Sequence, residues 1–332
     1  MADDTIEYLF IEPSGVCNLQ CTMCDALHVS DIPKGSLPSK LMGFGMFKDI
    51  LSSINQKHNI KYVEFQGLGE PLIAINNLKN MIRYTRDNGI FSEITTNGML
   101  LNRYNGDVLE DNGLGGIIIS VDSSNPDKFK KTRHHVNPQT VRNNIALFVN
   151  AHGSRIQTSI NSVIREYTRD NIMGMTRYAE DMAVDSIQFL HLIDGTNEQG
   201  FLKGNFGTEV KESVRMTFEE AKSYGKSRGL LVLTPELDIQ VKKCTLIEKS
   251  ITVAYDGRAN PCCRLDRSDM SYPGKMPFSM DTILKEHKTF SQKYFDLDFC
   301  RLCTQFLWNY DVIMTKFKYA LDKKRSGGGH EV

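Results

Sequence analysis

Cysteine is the residue type whose number and spacing indicate chemistry most clearly in this chain. The 332 residues include eight cysteines, which fall into two groups separated by a long cysteine-free stretch. The first group, Cys17, Cys21 and Cys24, has C-x3-C-x2-C spacing. Soft thiolates suit iron, and three of them on one short loop can hold a cubane iron–sulfur cluster while one iron stays open for chemistry. Structural zinc, the alternative, prefers four ligands with paired C-x2-C spacing.

The second cysteine group lies near the C-terminus and contains five members. Four of them have the spacing C-x12-G-x4-C…C-x2-C, with Gly257 as the glycine: Cys244, Cys262, Cys300 and Cys303. By count these four could hold either a structural zinc ion or a closed cluster. The fifth, Cys263, is either a small buried hydrophobe or an alternative ligand to Cys262. The acidic N-terminus has no apolar signal region, which favours metal binding over disulfides.

Hydrophobic periodicity predicts the elements that must position the first cysteine group. Strands are predicted over residues 8–11, 62–65, 91–95, 117–119, 156–163 and 187–190. The helices that alternate with them are predicted over 41–54, 75–88, 101–112, 140–152 and 171–182. This alternation predicts an α/β fold of parallel βα units whose chemistry lies at the carboxyl ends of the strands. Six units favour a partial (βα)6 TIM-like barrel, and a doubly wound open sheet is the alternative.

Glycine and polar residues follow several of these strands, at the edge where the cysteine loop is expected. The segments are Phe65-Gln66-Gly67-Leu68-Gly69-Glu70-Pro71, Thr95-Thr96-Asn97-Gly98 and Ser120-Val121-Asp122. Glycine lets backbone approach a ligand closely, and the Glu70 carboxylate can accept a hydrogen bond from an ammonium group. Each segment also has an ordinary interpretation, either as a tight turn or as a helix cap.

Taken together, the cysteine run and these segments resemble the radical S-adenosylmethionine (SAM) superfamily. Met23 departs from the aromatic residue that is usual before the third cysteine. The resemblance implies a [4Fe-4S] cluster on Cys17, Cys21 and Cys24, with SAM bound at the open iron and its amino group hydrogen-bonded to Glu70. Further SAM contacts are implied for Gly67, Gly69, Asn97, Ser120, Asp122, Arg133, Ser159 and Asn161. A solvated surface charge is the alternative for Arg133.

The second cysteine group resembles the auxiliary-cluster domain of many radical SAM enzymes, in the shortened, twitch form of the SPASM domain. This resemblance implies a second [4Fe-4S] cluster on Cys244, Cys262, Cys300 and Cys303. Asp256-Gly257 predicts a β-hairpin with a type I′ turn. We therefore divide the chain into a core (1–207), a linker helix and strand (208–240), a small C-terminal auxiliary-cluster domain of a β-hairpin plus helices (241–326) and a flexible tail (327–332).

The activity that the resemblance implies is reductive cleavage of SAM to a 5′-deoxyadenosyl radical, which abstracts hydrogen from an unactivated C–H bond. The shortened auxiliary domain is similar to that of aminocyclitol dehydrogenases and sugar epimerases. It therefore implies oxidation or epimerisation of a small hydroxylated substrate. The alternative is a maturase of a ribosomally made peptide. A non-enzymatic metal-binding interaction protein is a hypothesis from another class.

Four more residues are candidates for work on the substrate. Cys263 could donate a hydrogen atom, a role that a spare cysteine has in some related epimerases. Gln188, His191 and Asp194 lie on or just after the sixth predicted strand, where they could hold the substrate.

Composition limits the partners that we expect. Forty Lys and Arg balance forty Asp and Glu, so the net charge is zero, which argues against general nucleic-acid binding. Apolar residues make up 40% and charged residues 24%, as in a soluble globular protein, and no run approaches the roughly 20 residues that span a bilayer. We therefore expect a cytoplasmic enzyme with a small-molecule substrate and no nucleic-acid or membrane partner. The resemblance adds an external one-electron reductant such as flavodoxin or ferredoxin.

Overall fold

The computed structural model describes residues 5–24, 26–164, 171–191, 208–235, 237, 244–262 and 271–293, together with residues 315, 318 and 322. Several sequence predictions lie outside these residues. They are the candidate residues Asp194, Cys263, Cys300 and Cys303.

Thirteen strands occur in the described part of the chain. In chain order they are β1 (Tyr8–Ile11), β2 (Val16–Cys17), β3 (Gln20–Cys21), β4 (Leu27–His28), β5 (Tyr62–Phe65), β6 (Phe91–Thr96), β7 (Gly116–Ser120), β8 (Arg133–His134), β9 (Gln157–Ile164), β10 (Ser186–His191), β11 (Leu231–Leu233), β12 (Ser250–Val253) and β13 (Ala259–Asn260). Nine of them form one sheet, and the other four form two small pairs, β2 with β4 and β3 with β8.

The order of the strands in the large sheet decides between the two predicted architectures. The order is β11-β10-β9-β7-β6-β5-β1-β12-β13, and only the β12–β13 pair is antiparallel. The six strands predicted from the sequence therefore stand side by side in their chain order. In a doubly wound sheet, by contrast, the order of the strands reverses at a switch point. Sequential parallel strands with intervening helices are the pattern of a TIM-like barrel. The predicted fold class, an α/β fold with a mostly parallel sheet consistent with a partial TIM-like barrel, is confirmed.

Nine α-helices connect or flank the strands of the described segments. They are α1 (Phe44–Asn55), α2 (Ile75–Asp87), α3 (Arg103–Asp111), α4 (Pro126–Thr132), α5 (Pro138–His152), α6 (Ile172–Asp181), α7 (Thr208–Ser227), α8 (Thr245–Lys249) and α9 (Met280–Ser291). Short 3-10 helices occupy Val29–Asp31, Leu37–Lys40 and Pro71–Ala74. In the described residues, no helix has both the length and the apolar character needed to cross a membrane.

The outer face of the sheet is apolar and packs against the helices. Successive side chains on a strand point to opposite faces, so alternate residues share one environment. Leu9, Val63 and Ile117 on this face belong to one buried cluster with Phe47 of α1 and Phe148 of α5. Burying a side chain of this size contributes about 1.5–3 kcal/mol, so the outer face supplies the main apolar core.

The inner face of the sheet is polar, yet it is largely buried. Sixteen of its positions are Tyr8, Phe10, Tyr62, Glu64, Glu93, Thr95, Gly116, Ile118, Ser120, Gln157, Ser159, Asn161, Ser186, Gln188, Ser250 and Thr252. All sixteen are buried except Thr95, Ser120 and Asn161, which are partly exposed, as are the apolar Phe91, Val163 and Leu190 on the same face. None of these sixteen positions is a Lys, Arg or His. Buried polar groups need hydrogen-bond partners, so the inner face has the composition of a site rather than of a core.

The predicted elements differ from those observed by a few residues at their ends, as expected when helix and strand termini are inferred from periodicity. The sequence prediction missed α4, α8 and the four short strands β2, β3, β4 and β8. A two-residue strand has no periodicity, and its existence depends on a partner elsewhere in the chain. These missed strands all hold the first cysteine group.

The predicted C-terminal hairpin is confirmed, but its turn type is wrong. β12 and β13 pair antiparallel, with Val253 opposite Ala259. A type I′ turn needs positive φ at both central residues, and here only Gly257 has it, at 87°. The Gly257 N–H donates to the Ala254 carbonyl at 2.9 Å, and the Asp256 carboxylate accepts from the Arg258 N–H at 3.2 Å. Asp256 therefore keeps a negative φ, and its side chain closes the turn through this hydrogen bond.

Two edges of the large sheet are extended by strands from outside the six-unit core. β11, from the predicted linker, pairs parallel with β10, and β12, from the predicted auxiliary-cluster domain, pairs parallel with β1 from Tyr8↔Ser250 to Ile11↔Val253. The C-terminal region is thus joined by a main-chain ladder to the strand that leads into the first cysteine group. The domain division stays a prediction.

His287 on α9 predicts how stability depends on pH. It is buried, and the Tyr272 hydroxyl hydrogen-bonds to its Nδ1 at 2.8 Å. Burial lowers the pKa of His287 to about 4, so the unfolded chain binds the proton more tightly and stability falls as pH drops below about 6.5. His287→Gln keeps an acceptor for Tyr272 but does not titrate. Between pH 7 and pH 5, wild type should lose about 2 kcal/mol more unfolding free energy than this variant in urea titrations. An equal loss in both proteins would contradict the prediction.

Candidate active site

The first cysteine group lies directly after β1 and is fixed by the two small strand pairs. Cys17 ends β2 and stands opposite His28 of β4 in a parallel pair. Cys21 ends β3 and stands opposite Arg133 of β8 in an antiparallel pair. The Thr22 N–H also donates to the Thr132 carbonyl at 3.0 Å. The loop therefore has main-chain bonds that hold two of its three cysteines at the carboxyl edge of the sheet.

The thiols of this loop differ in burial and in their hydrogen-bond donors. Cys17 is buried, whereas Cys21 and Cys24 are partly exposed. Burial raises the pKa of Cys17 to about 12, and it also raises the pKa of Cys21, where Arg133 opposes the shift. The Leu19 N–H donates to Cys17 Sγ at 3.4 Å, and Arg133 Nη1 lies 4.0 Å from Cys21 Sγ. Donors of this kind stabilise ligating sulfur atoms.

The glycine-rich segment after β5 packs directly on the start of the cysteine loop. A Cβ atom on Gly69 would lie 1.8 Å from the Ser14 carbonyl oxygen, so no other residue fits without moving backbone. The Glu70 N–H donates to the Val16 carbonyl at 2.9 Å, one residue before Cys17. The close approach that this glycine permits is therefore to the chain itself.

The Glu70 carboxylate joins this segment to the end of β6. It is 2% exposed, and its Oε1 accepts from the Leu72 N–H at 3.1 Å and from the Thr96 hydroxyl at 2.6 Å. Its Oε2 accepts from the Asn97 N–H at 2.8 Å. Burial raises the pKa of Glu70, and these three donors oppose that shift. Glu70 thus caps the 3-10 helix Pro71–Ala74, and its predicted contact with the SAM amino group stays a prediction.

Asn97 links the end of β6 to the cysteine loop. Its Nδ2 donates to Asn18 Oδ1 at 2.8 Å and lies 3.7 Å from Cys17 Sγ. Its Oδ1 accepts from the Met99 N–H at 3.0 Å, which orients the amide. The Thr95-to-Gly98 segment therefore adds a hydrogen-bond donor close to the first cysteine, beside its predicted contact with SAM.

Asp122 and Arg133 form a buried ion pair beside Cys21. Arg133 Nε lies 2.8 Å from Asp122 Oδ2, and Arg133 Nη2 lies 3.2 Å from Asp122 Oδ1. Asp122 is 1% exposed, and it also accepts from the Val163 N–H at 3.2 Å. The alternative of a solvated surface charge for Arg133 is therefore wrong, because its guanidinium is held by this carboxylate. The predicted contacts of both residues with SAM stay predictions.

Glu12, which the sequence reasoning missed, ties three segments together. Its Oε1 accepts from the Leu68 N–H at 2.8 Å and from the Gly69 N–H at 3.3 Å, and its Oε2 from the Tyr255 N–H at 3.4 Å. A Cβ on Gly67 would lie 2.5 Å from Glu12 Cγ. Glu12 therefore fixes the glycine-rich segment to β1 and to the end of β12. A buried acidic residue right after an apolar strand was the available signal.

Three of the predicted site residues stand level on neighbouring strands. Ser120 of β7 is the register partner of Asn161 on β9, and Asn161 is the partner of Gln188 on β10. Asn161 Oδ1 and Gln188 Oε1 are buried atoms without a hydrogen-bond partner among the described residues. Ser159, two residues deeper, is satisfied by the Ser186 hydroxyl at 2.7 Å.

The remaining predicted residues are only partly described. His191 ends β10, opposite Ile164 of β9. Cys244 directly precedes α8 and Cys262 closely follows β13, and both cysteines are buried. Within the described residues, no group of three or more His, Cys, Asp or Glu is arranged to hold a single metal ion.

Two further acidic residues of the inner face were also missed. Glu64 of β5 and Glu93 of β6 are register partners, and both are buried. Alternation within Tyr62-Val63-Glu64-Phe65 places Glu64 on the face opposite the apolar Val63 and Phe65. A charged residue inside a strand of a buried parallel sheet was the signal that could have found it.

A comparison with protein families decides the class of this arrangement. A family model described as the radical SAM superfamily matches residues 11–190, more than half of the chain. The chain belongs to the radical SAM superfamily. The matched region runs from the last residue of β1 into β10 and so contains the cysteine loop, the glycine-rich segment and most of the six-strand core.

Relatives in the superfamily have several activities. A GTP 3′,8-cyclase of Alkaliphilus metalliredigens is 27% identical over 223 residues, covering 63% of this chain and 64% of the cyclase. A tungsten-containing aldehyde ferredoxin oxidoreductase cofactor-modifying protein of Pyrococcus furiosus is 24% identical over 268 residues, covering 78% of this chain and 71% of that protein. The chain therefore spans less than two thirds of the cyclase's length.

Solved structures of radical SAM proteins have the same fold. Streptococcus suis SuiB bound to S-adenosylmethionine superposes with a TM-score of 0.66 at 16% identity, covering 91% of this chain and 72% of SuiB. The protein anSMEcpe with bound AdoMet has a TM-score of 0.65 at 19% identity, covering 90% of this chain and 87% of its own. At these identities the likeness is one of fold.

Superfamily membership implies one [4Fe-4S] cluster and SAM, and the residues present fit the cluster. Cys17, Cys21 and Cys24 supply three thiols on one loop, and each can ligate a different iron of a cubane. Leu19 and Asn97 direct N–H donors at the Cys17 sulfur, and Arg133 places positive charge beside Cys21. Hydrogen-bond donors and positive charge both stabilise a thiolate sulfur that has released its proton on binding a metal.

Glu12→Gln tests whether this carboxylate holds the site together. The amide keeps one acceptor, but its NH2 group then faces a backbone N–H, so a charged hydrogen bond is lost. We expect about 1–3 kcal/mol of lost stability in urea titrations and weaker SAM binding in equilibrium dialysis of the reconstituted protein.

The matched control for this variant is Glu220→Gln, which makes the same change on the exposed surface of α7. It should leave both quantities at the wild-type level. Wild-type stability together with wild-type SAM affinity in Glu12→Gln would refute the assignment.

Proposed function

We propose that this radical SAM enzyme abstracts a hydrogen atom from a C–H bond of a small hydroxylated substrate, such as an aminocyclitol or sugar, and thereby oxidises or epimerises it. The observation that carries the proposal is the polar, buried inner face of the sheet. Asn161, Gln188, Glu93, Gln157 and Thr252 each have a buried side-chain atom without a hydrogen-bond partner in the described residues. A substrate rich in hydroxyl groups would satisfy such atoms, whereas an apolar substrate would leave them unpaired.

The position of this face supports the proposal. The inner-face residues lie on the same strands whose carboxyl ends hold the cysteine loop, Glu70 and the Asp122–Arg133 pair. When bound, the cluster and SAM supply the 5′-deoxyadenosyl radical that performs the abstraction. The chain holds the cluster through Cys17, Cys21 and Cys24, orients the substrate through the inner face and excludes water by burial.

A second [4Fe-4S] cluster in a twitch-type C-terminal domain is also part of the proposal. Cys244, Cys262, Cys300 and Cys303 would hold it. Support comes from Cys244 and Cys262, which are buried and flank the β12–β13 hairpin, and from the pairing of β12 with β1. That pairing connects the two cysteine groups through adjacent strands.

Peptide modification is the second candidate function. Streptococcus suis SuiB bound to its precursor peptide SuiA has a TM-score of 0.63 to this chain at 16% identity. A peptide substrate would place a backbone on the inner face, where its amide groups could satisfy the same polar atoms. Turnover of a peptide encoded near this chain, with no turnover of sugars or aminocyclitols, would favour this candidate.

Anaerobic reconstitution with iron, sulfide, SAM and a one-electron reductant tests the proposal. We expect about eight irons per chain and release of 5′-deoxyadenosine, because two cubanes hold four irons each. A variant with Cys17, Cys21 and Cys24 changed to Ala should keep about four irons and release no 5′-deoxyadenosine. The matched Cys244→Ala and Cys262→Ala double variant should also keep about four. An iron content of about four per wild-type chain would rule out the second cluster. Absence of 5′-deoxyadenosine would overturn the proposed function.

Turnover in heavy water separates oxidation from epimerisation. If Cys263 returns hydrogen to the substrate radical, its exchangeable S–H delivers deuterium to the product, and Cys263→Ala abolishes that product. Oxidation incorporates no deuterium, because the substrate loses hydrogen and gains none. Mass spectrometry of the product reads out both cases, and full epimer formation by Cys263→Ala would disprove the donor role.

A further inference from the structure

An acidic pair lies on the inner face at the level of the third residue of β5 and of β6. Glu64 and Glu93 are register partners on these adjacent strands, with 7% and 2% exposure. Neighbouring strands lie about 4.8 Å apart, so the two carboxylates share one small region. Neither glutamate belongs to the cysteine loop or to the residues predicted to bind SAM.

Hydrogen bonds from neutral groups satisfy part of this pair. The Tyr62 hydroxyl lies 2.5 Å from Glu93 Oε2 and 3.5 Å from Glu64 Oε2, and the Thr95 hydroxyl donates to Glu64 Oε1 at 2.7 Å. The single phenolic proton serves one carboxylate at a time. Glu93 Oε1 has no hydrogen-bond partner among the described residues, although it is fully enclosed.

Positive charge is missing from the strand positions around the pair. The sixteen inner-face positions include no Lys, Arg or His. Lys61, one residue before β5, pairs instead with Glu7 at 2.8 Å. Burying a carboxylate with an open oxygen costs free energy that a cationic donor offsets better than a neutral hydroxyl does, because only the cation also neutralises the buried negative charge.

We propose that Glu93, together with Glu64, binds a protonated amine of the substrate. This inference rests on the proposed function and narrows its substrate class to hydroxylated amines. Asn97 lies four positions after Glu93, which is about 13 Å along a strand. An amine anchored at Glu93 would therefore direct the rest of a small substrate towards the edge where Cys17 lies.

Binding measurements without reductant test this inference independently of catalysis. The probes are matched pairs that differ only in an amine, such as D-glucosamine with D-glucose and an aminocyclitol with its parent cyclitol. They are titrated by equilibrium dialysis into the reconstituted enzyme with SAM. We expect the amine of at least one pair to bind about tenfold more tightly than its hydroxyl partner, because only the ammonium group forms an ion pair with the carboxylate. No amine preference in any pair would overturn the inference.

Two isosteric variants locate the preference. Glu93→Gln should reduce the amine-to-hydroxyl affinity ratio to about one, and Glu64→Gln should reduce it in part. The surface control Glu220→Gln on α7 should keep the wild-type ratio. Iron content reports whether each variant has folded. If the correctly folded Glu93→Gln and Glu64→Gln variants keep the wild-type amine-to-hydroxyl affinity ratio, the inference is overturned. If the wild-type enzyme releases no 5′-deoxyadenosine, the proposed function alone is overturned.

Discussion

Two buried carboxylates join the carboxyl ends of β1, β5 and β6, and the geometry of the site depends on them. Glu12 accepts N–H groups of the glycine-rich segment and of Tyr255. Glu70 accepts N–H groups of its own segment and of Asn97, whose side chain reaches the Cys17 sulfur. Hydrogen bonds to buried charged groups are among the stronger ones in proteins. Three loops from three strands are therefore positioned by two acidic residues rather than by an apolar core.

The two faces of the sheet differ in what they bury: the outer face buries apolar side chains and the inner face buries polar ones. The outer face buries apolar side chains against the helices, and these side chains need no hydrogen-bond partners. The inner face buries polar atoms, several of which have no partner among the described residues. An unsatisfied buried polar group destabilises the fold by about 1–3 kcal/mol, so the apolar outer face must offset this cost until a ligand satisfies the inner face. In the proposed function, the strand residues of the inner face select the substrate, and the loop after β1 holds the cluster.

The sequence predicts features that depend on local patterns and misses those that depend on distant partners. Strand–helix alternation and the cysteine spacing are local, so the barrel-like fold and the loop bearing Cys17 were predictable. Glu12 is 56 residues from Leu68 and 243 from Tyr255, and no local pattern marks that contact. The Asp256-Gly257 turn type was mispredicted because the dipeptide allows a second geometry, which the hydrogen bond from Arg258 to Asp256 selects.

The ion pair of Arg133 with Asp122 leaves room for the role that the resemblance implies. A guanidinium has five N–H donors in a fixed plane. Nε and one donor of Nη2 bond to Asp122, and one donor of Nη1 faces the Cys21 sulfur. Two donors remain, one on each terminal nitrogen. Asp122 therefore fixes the orientation of Arg133 without using up its donors. Removing Asp122 would leave a buried cation without its carboxylate, so the loss would affect the position of Arg133 before it affected any ligand.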